Sequence, residues 1–195
     1  MFTIICVPCA LFGDRLALYD ARSNYPINHI PWVLFFYILQ YPHRVKLILA
    51  AISPSRSRAK SGAAATLAAD FLARASRFLP CEAQAYGSEA ALLAWLDRQA
   101  ARTVPVLILL DSRGRQLTSE EFAAQLGRLR DNGTQSLVLA IGPADGWSTV
   151  ARARAGLLLS FGAITLPHEL ARVVLAEQIY RALTILAGHP YHSGH

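Results

Sequence analysis

The chain has 195 residues, 53% of them hydrophobic and 16% charged, with 19 basic and 13 acidic side chains and a formal net charge of +6. That composition excludes a disordered or low-complexity chain. Three cysteines, Cys6, Cys9 and Cys81, exclude a disulfide-stapled secreted scaffold and point to a reducing, cytoplasmic setting.

All cations except Lys46 and Lys60 are arginines, a balance suited to a phosphate-bearing partner. In chain order, residues 1–44 come first and follow no regular pattern. Their apolar run Ile30–Leu39 is too short for a bilayer crossing, which takes about 20 residues. No basic residue precedes the first apolar stretch, so a signal peptide is not expected either. Cys6 and Cys9 have redox-motif spacing but lack the strand–helix unit that such a motif requires. A weakly structured extension is the expectation.

Regular alternation begins at Val45. Residues 45–52 read as a buried strand, followed by a polar turn carrying Arg56, Arg58 and Lys60. Ala63–Phe78 has helical spacing and stops before Pro80. A short strand over Glu82–Tyr86 and a helix over Glu89–Ala100 follow. Val104–Leu110 is a continuous apolar run of the kind found in parallel sheets covered on both faces, and Asp111–Arg115 reads as a turn. Thr118-Ser-Glu-Glu121 is a capping-box start for a helix that Asn132-Gly133 ends. Ser136–Ile141 is a strand, Ser148–Ala153 a short helix and Gly156–Phe161 a further strand. Pro167 opens a long final helix reaching about Ala187. The alternation predicts an α/β fold with a mostly parallel sheet flanked by helices.

Two loops suit a ligand held by main chain. Gly142 and Gly146 follow one strand, and Ser160, Gly162 and Ala163 lie at the exit of the last; small residues there allow close backbone approach. Ordinary strand-to-helix connections explain the same residues, and no GxGxxG fingerprint supports a dinucleotide. On the final helix, Arg181 shares a polar arc with Glu177, Gln178 and Thr184 and reads as half of an i,i+4 surface pair. Arg172 and His168 fall among Leu175, Ile179, Leu183 and Leu186. A charge on an apolar stripe must be paired, bind a ligand or meet an interface. The terminal His189, His192 and His195 lack the fourth ligand and shared helical face of a closed zinc site, so no metal is expected. GxSxG, HExxH and P-loop motifs are absent.

Taken together, Leu110-Asp111, Ser119-Glu-Glu-Phe-Ala123, Ile141-Gly142, Leu159-Ser-Phe161, Thr165-Leu-Pro-His168, Arg172, Glu177-Gln178, Tyr180-Arg181-Ala182 and Tyr191-His192 closely resemble the ribosomal RNA large subunit methyltransferase H family of the SPOUT class. The resemblance is dense from about Leu107 to His192 and collinear back to Val45. It implies a SPOUT-type α/β domain over 45–195 with a deep trefoil knot at its C-terminal end, acting as a homodimer. S-adenosylmethionine is then the cofactor, held by Leu110, by Gly142 and Pro143, and by Leu159, Ser160, Phe161, Gly162, Ala163 and Ile164. The implied reaction is methylation of N3 of a pseudouridine in 23S rRNA within the assembled ribosome. His168, Arg172, Tyr191 and His192 would lie near the base, and Arg56, Arg58 and Lys60 would contact phosphate, without membrane or metal.

The chain departs from the family pattern in two places. Pro143 stands where relatives usually carry a second glycine, so a main-chain N–H is lost. Ser193-Gly-His195 follows Tyr191-His192 where relatives end on a basic residue. The extension has a sharper reading under the same resemblance: Val45-Lys46-Leu47 matches the usual family start, and residues 1–44 are expected to be an annotation artefact. Their removal takes Arg15, Arg22 and Arg44 together with Asp14 and Asp20, leaving the arginine bias with the domain. Two alternatives stand beside the enzyme reading: a non-catalytic RNA- or ribosome-binding relative, and a nucleotide-binding oxidoreductase that the missing glycine fingerprint disfavours.

Overall fold

The computed structural model describes residues 45–53 and 62–192. The Cys6/Cys9 pair, the apolar run 30–39 and the basic residues Arg56, Arg58 and Lys60 lie outside the described residues, as does the side chain of His192.

Five strands form one sheet: β1 (Lys46–Ile52), β2 (Cys81–Tyr86), β3 (Val106–Gln116), β4 (Ser136–Ile141) and β5 (Leu157–Ser160). Their spatial order is β2-β1-β4-β3-β5, and every pairing is parallel. The helices are α1 (Ala63–Ala75), α2 (Glu89–Ala100), α3 (Ser119–Asp131), α4 (Thr149–Arg154) and α5 (His168–Leu186), with a 3-10 turn at Pro190–His192.

Strand alternation divides the core. Leu47, Leu49, Ile108, Leu137 and Leu139 pack with α1, α3 and α5 on one face. Ile48, Ala50, Leu107, Leu109, Val138 and Ala140 pack with Leu92 and Leu96 of α2 and with Trp147 and Ala151 on the other. A sheet covered on both faces explains why these strands read as unbroken apolar runs. Leu175 and Ile179 of α5 are fully buried, each contributing roughly 2 kcal/mol by removal from water.

Helix starts follow the expected chemistry. Thr118 and Glu121 form the capping box of α3, while Ser88 and Ser148 cap α2 and α4. Helix α1 ends at Ala75, short of the expected Phe78, because Ser76 donates its hydroxyl to the carbonyls of Leu72 and Cys81. That bond draws the chain into the turn leading to β2.

The main correction concerns Asp111–Arg115. This segment is part of β3, not a turn. Leu110 pairs with Leu159, and five residues later Arg115 pairs with the same Leu159, followed by Gln116 with Ser160. Between these pairings Gly114 lies against β5, where a Cβ would stand 2.6 Å from the carbonyl carbon of Leu158. Thus β3 clasps β5. The polar sequence reads as a turn because Ser112, Arg113, Arg115 and Gln116 are themselves exposed, so no apolar run marks their pairing with the edge strand β5.

Candidate active site

Register brings three distant segments into one row. Ile141 of β4 is opposite Leu110 of β3, and Leu110 is opposite Leu159 of β5. Gly142 and Ser160 follow directly, so the two loop candidates leave the strands on either side of β3 at their carboxyl ends. In open parallel sheets this is where ligands bind. Of the expected cofactor residues, Leu159 and Ser160 are buried, Leu110, Gly142, Pro143, Phe161 and Gly162 are half-buried, and Ala163 and Ile164 are exposed.

The loops have distinct local controls. The Ser160 hydroxyl accepts from the Gly162 N–H and lies 3.1 Å from the Gly162 carbonyl. Gly162 has φ +115 with open space where a Cβ would stand, a conformation that favours glycine. On the other side, the Pro143 carbonyl accepts from the Gly146 N–H at 3.0 Å, closing a turn in which Gly146 has φ +80.

At the first turn of α5, His168 leaves Nε2 buried and without a hydrogen-bond partner. Burial lowers the imidazole below its ordinary range; Glu169 opposes that, Arg172 adds to it, and a backbone contact with Gly142 opposes it. The ring is therefore neutral near pH 7, with one nitrogen available as an acceptor. A buried, unpaired polar atom is costly unless something else meets it. Arg172 lies one turn on with its side chain 12% exposed, and its ion pair with Glu169 is long at 3.5 Å. The residue singled out on the apolar stripe is thus only loosely neutralised.

Arg181 and Glu177 form the expected i,i+4 pair at 2.7 Å, but not at the surface: their side chains are 22% and 19% exposed. Thr184, placed on the same polar arc, is completely buried and donates its hydroxyl to the Arg181 carbonyl. The arc is covered because α1 and α3 both pack on α5 and the 3-10 turn folds back over it. Glu177 also accepts from the Tyr191 hydroxyl at 3.2 Å, and the Arg181 guanidinium lies 5.0 Å from the centre of the Tyr191 ring. Burial, then Glu177, raises the Tyr191 hydroxyl above its usual range. The exposed His189 accepts at Nδ1 from the Tyr191 N–H. Among the described residues no group of three or more His, Cys, Asp or Glu side chains converges as metal ligands, and no helix is long and apolar enough to cross a membrane.

Sequence reasoning gave no role to Asp111, Arg152 or Trp147. Asp111 accepts from Arg152 at 2.6 Å and from the Arg113 main chain at 3.0 Å. The Trp147 indole donates to the Leu110 carbonyl at 2.8 Å. A tryptophan inside a glycine-bearing loop was the one available signal.

The fold and this site define a parallel α/β domain with main-chain loops at one row of strand ends, the arrangement in which such sheets take up ligands. Residues 55–192 match the model of a family described as predicted SPOUT methyltransferase. The chain is 54% identical over 138 residues to the ribosomal RNA large subunit methyltransferase H of Koribacter versatilis, covering 71% of this chain and 94% of that protein. To the protein of the same name from Brucella ovis it is 58% identical over 86 residues, 44% of this chain and 51% of that one. The chain belongs to the ribosomal RNA large subunit methyltransferase H family. Among solved structures it is similar to the SpoU methyltransferase AviRb from Streptomyces viridochromogenes in complex with AdoMet, at TM-score 0.43 and 15% identity, covering 75% of this chain and 60% of that one.

Proposed function

We propose that the domain over residues 45–195 methylates N3 of pseudouridine 1915 in 23S rRNA, using S-adenosylmethionine and acting on assembled ribosomes. The observation that carries the reading is the row Ile141–Leu110–Leu159, with the unpaired Nε2 of His168 at the adjoining helix start. Open main chain at Gly162 and small residues along both loops fit a ligand held chiefly by backbone. Leu110, Gly142, Pro143 and Leu159 to Ile164 are the residues assigned to it.

When bound, the cofactor supplies an electrophilic sulfonium methyl group. The protein must hold the base in line and accommodate the loss of the N3 proton. His168 is the acceptor for that proton, and Arg172 stabilises the negative charge that develops as the proton leaves. Tyr191 and His192, on the C-terminal turn, position the base. Arg56, Arg58 and Lys60 are assigned to phosphate contacts. The active species is a homodimer in the cytoplasm.

The test uses ribosomes and free 23S rRNA from a strain lacking the modification, each incubated with the protein and methyl-labelled S-adenosylmethionine. Label on pseudouridine N3 in intact particles is expected. No label on either substrate overturns the reading, and label on free rRNA alone removes the assembled ribosome as substrate. Sedimentation of the same protein measures the dimer.

A further inference from the structure

Trp147 has no part in the reading above, yet it touches two of the three segments assigned to the cofactor. Its side chain is buried at 3% exposure. The indole N–H donates to the Leu110 carbonyl at 2.8 Å across 37 residues of sequence. The ring lies so close over Gly142 that a Cβ there would stand 2.8 Å from Cε2 and 2.9 Å from Nε1. The indole itself is anchored on both sides. Its ring packs in the core with Leu92, Leu96 and Ala151, and the next residue, Ser148, gives its N–H to Glu89 and caps α4.

The geometry points to Trp147 as a positioning residue for the S-adenosylmethionine site, fixing the Leu110 and Gly142 main chain together through one rigid side chain. This rests on the assignment of Leu110, Gly142 and Pro143 to the cofactor. Pro143 cannot donate a main-chain hydrogen bond, so the remaining backbone groups of the loop must stand in fixed places. Indole supplies that in two ways: it orients one carbonyl, and it leaves the neighbouring residue no freedom to be other than glycine. Phenylalanine keeps the ring's bulk and loses the donor, so the Leu110 carbonyl is left without its partner and both segments loosen.

The experiment measures S-adenosylmethionine and S-adenosylhomocysteine binding by calorimetry for the full chain, Trp147→Phe and Leu72→Ala. Leu72 is buried in the core on the opposite face of the sheet and serves as a destabilised control away from Trp147. Wild type binds both ligands. Trp147→Phe weakens both by roughly ten-fold, the size expected when a buried carbonyl loses its donor, and raises KM for cofactor while leaving KM for ribosomes within about two-fold. Leu72→Ala keeps wild-type affinity. Equal affinity in Trp147→Phe and wild type overturns the inference, as does an equal loss in Leu72→Ala. Failure of the wild type to bind at millimolar cofactor instead overturns the cofactor assignment, and the inference with it. Should Trp147→Phe not fold, indole 15N resonances of the wild type decide, assigned with Trp32→Phe and Trp95→Phe. The Trp147 signal must move as cofactor is added, and a stationary signal overturns the inference.

Discussion

The carboxylate of Asp111 accepts a hydrogen bond from the Arg152 guanidinium at 2.6 Å, joining β3 to α4 across 41 residues of sequence. The Asp111 side chain is 5% exposed and that of Arg152 22%. Burial alone raises an aspartate, but the hydrogen bonds from Arg152 and Arg113 and the Arg152 charge outweigh it and hold Asp111 below the ordinary carboxylate range. The folded state therefore binds this proton less readily than the unfolded chain. The pair's stabilisation is complete above the unfolded aspartate value of about 3.9 and is lost as pH falls through the lower folded value. Asp111→Asn is expected to cost about 2 kcal/mol, a fall in Tm of roughly 4–8 °C for a domain of this size. It should also flatten the acid limb of stability against pH. Thermal melts from pH 7 down to pH 3 measure both effects, and an unchanged acid limb would count against the pair.

Gly114 marks the clasp of β3 around β5. A methyl group there would stand 2.6 Å from Leu158 C, 2.7 Å from Leu158 O and 2.7 Å from Leu159 C. All three are main-chain atoms of a paired strand, so no flexible side chain yields. Gly114→Ala is expected to reach the upper end of overpacking costs, about 3 kcal/mol or more, and to disturb the neighbouring Ser160–Gly162 loop. Gly133→Ala is the comparison, since it sits at φ +79 with open space around it. Its cost is the strain of the left-handed backbone alone, about 1 kcal/mol. Denaturant unfolding of the two variants checks the order, and a milder effect for Gly114→Ala would contradict the clasp.

Periodicity and capping made most of the fold legible. The buried strands carry unbroken apolar runs because helices cover both faces, and Thr118 with Glu121 announces α3 at its first turn. Periodicity is blind to an edge partner, so the polar residues Ser112 to Gln116 gave no sign that they pair with β5. Small residues marked the two loops as places where main chain could meet a ligand, but their assignment to a particular cofactor came only from the family resemblance, because residues that act through main chain impose no side-chain pattern. The helical wheel placed Arg181 and Thr184 on a polar arc correctly. It could not foresee that the 3-10 turn would fold Tyr191 over that arc and bury it. Asp111 and Arg152, distant in sequence, become partners only once β3 and α4 are packed.

His168 predicts a pH dependence in two observables. Burial lowers its pKa below the ordinary 6.5, Glu169 raises it and Arg172 lowers it. Between the depressed folded value and 6.5 the unfolded chain binds a proton that the folded chain does not, so stability falls as pH drops through that window. Methylation at saturating cofactor should be lost on acidification through the folded value, since only the neutral ring accepts a proton. Glu169→Gln should move that acid limb to lower pH, and Arg172→Gln should move it to higher pH. His168→Gln is expected to reduce kcat by at least about 100-fold with cofactor binding retained. Rate–pH profiles of the three variants are the check, and shifts of the opposite sign would remove His168 as the titrating group.

Glu177 holds the C-terminal turn through shared acceptors: one carboxylate oxygen takes Arg181 and the Tyr191 hydroxyl, and the other takes the Gln178 side-chain amide at 2.8 Å. Gln178 in turn accepts from the Ser119 hydroxyl at 3.0 Å, so the network reaches the start of α3. Glu177→Gln leaves Arg181 mostly buried without its counter-charge, at an expected cost of about 2 kcal/mol. Tyr191 should then ionise closer to its ordinary value, because the Glu177 charge and hydrogen bond that help raise it are gone while burial and Tyr180 remain. Amide exchange at residues 189–192 should accelerate as the turn loosens. Difference absorbance titration against Tyr191→Phe isolates this tyrosine from the chain's seven. A Tyr191 value that stays put in Glu177→Gln, together with unchanged exchange at the turn, would show that the turn is held by its packing on Tyr180 rather than by the carboxylate.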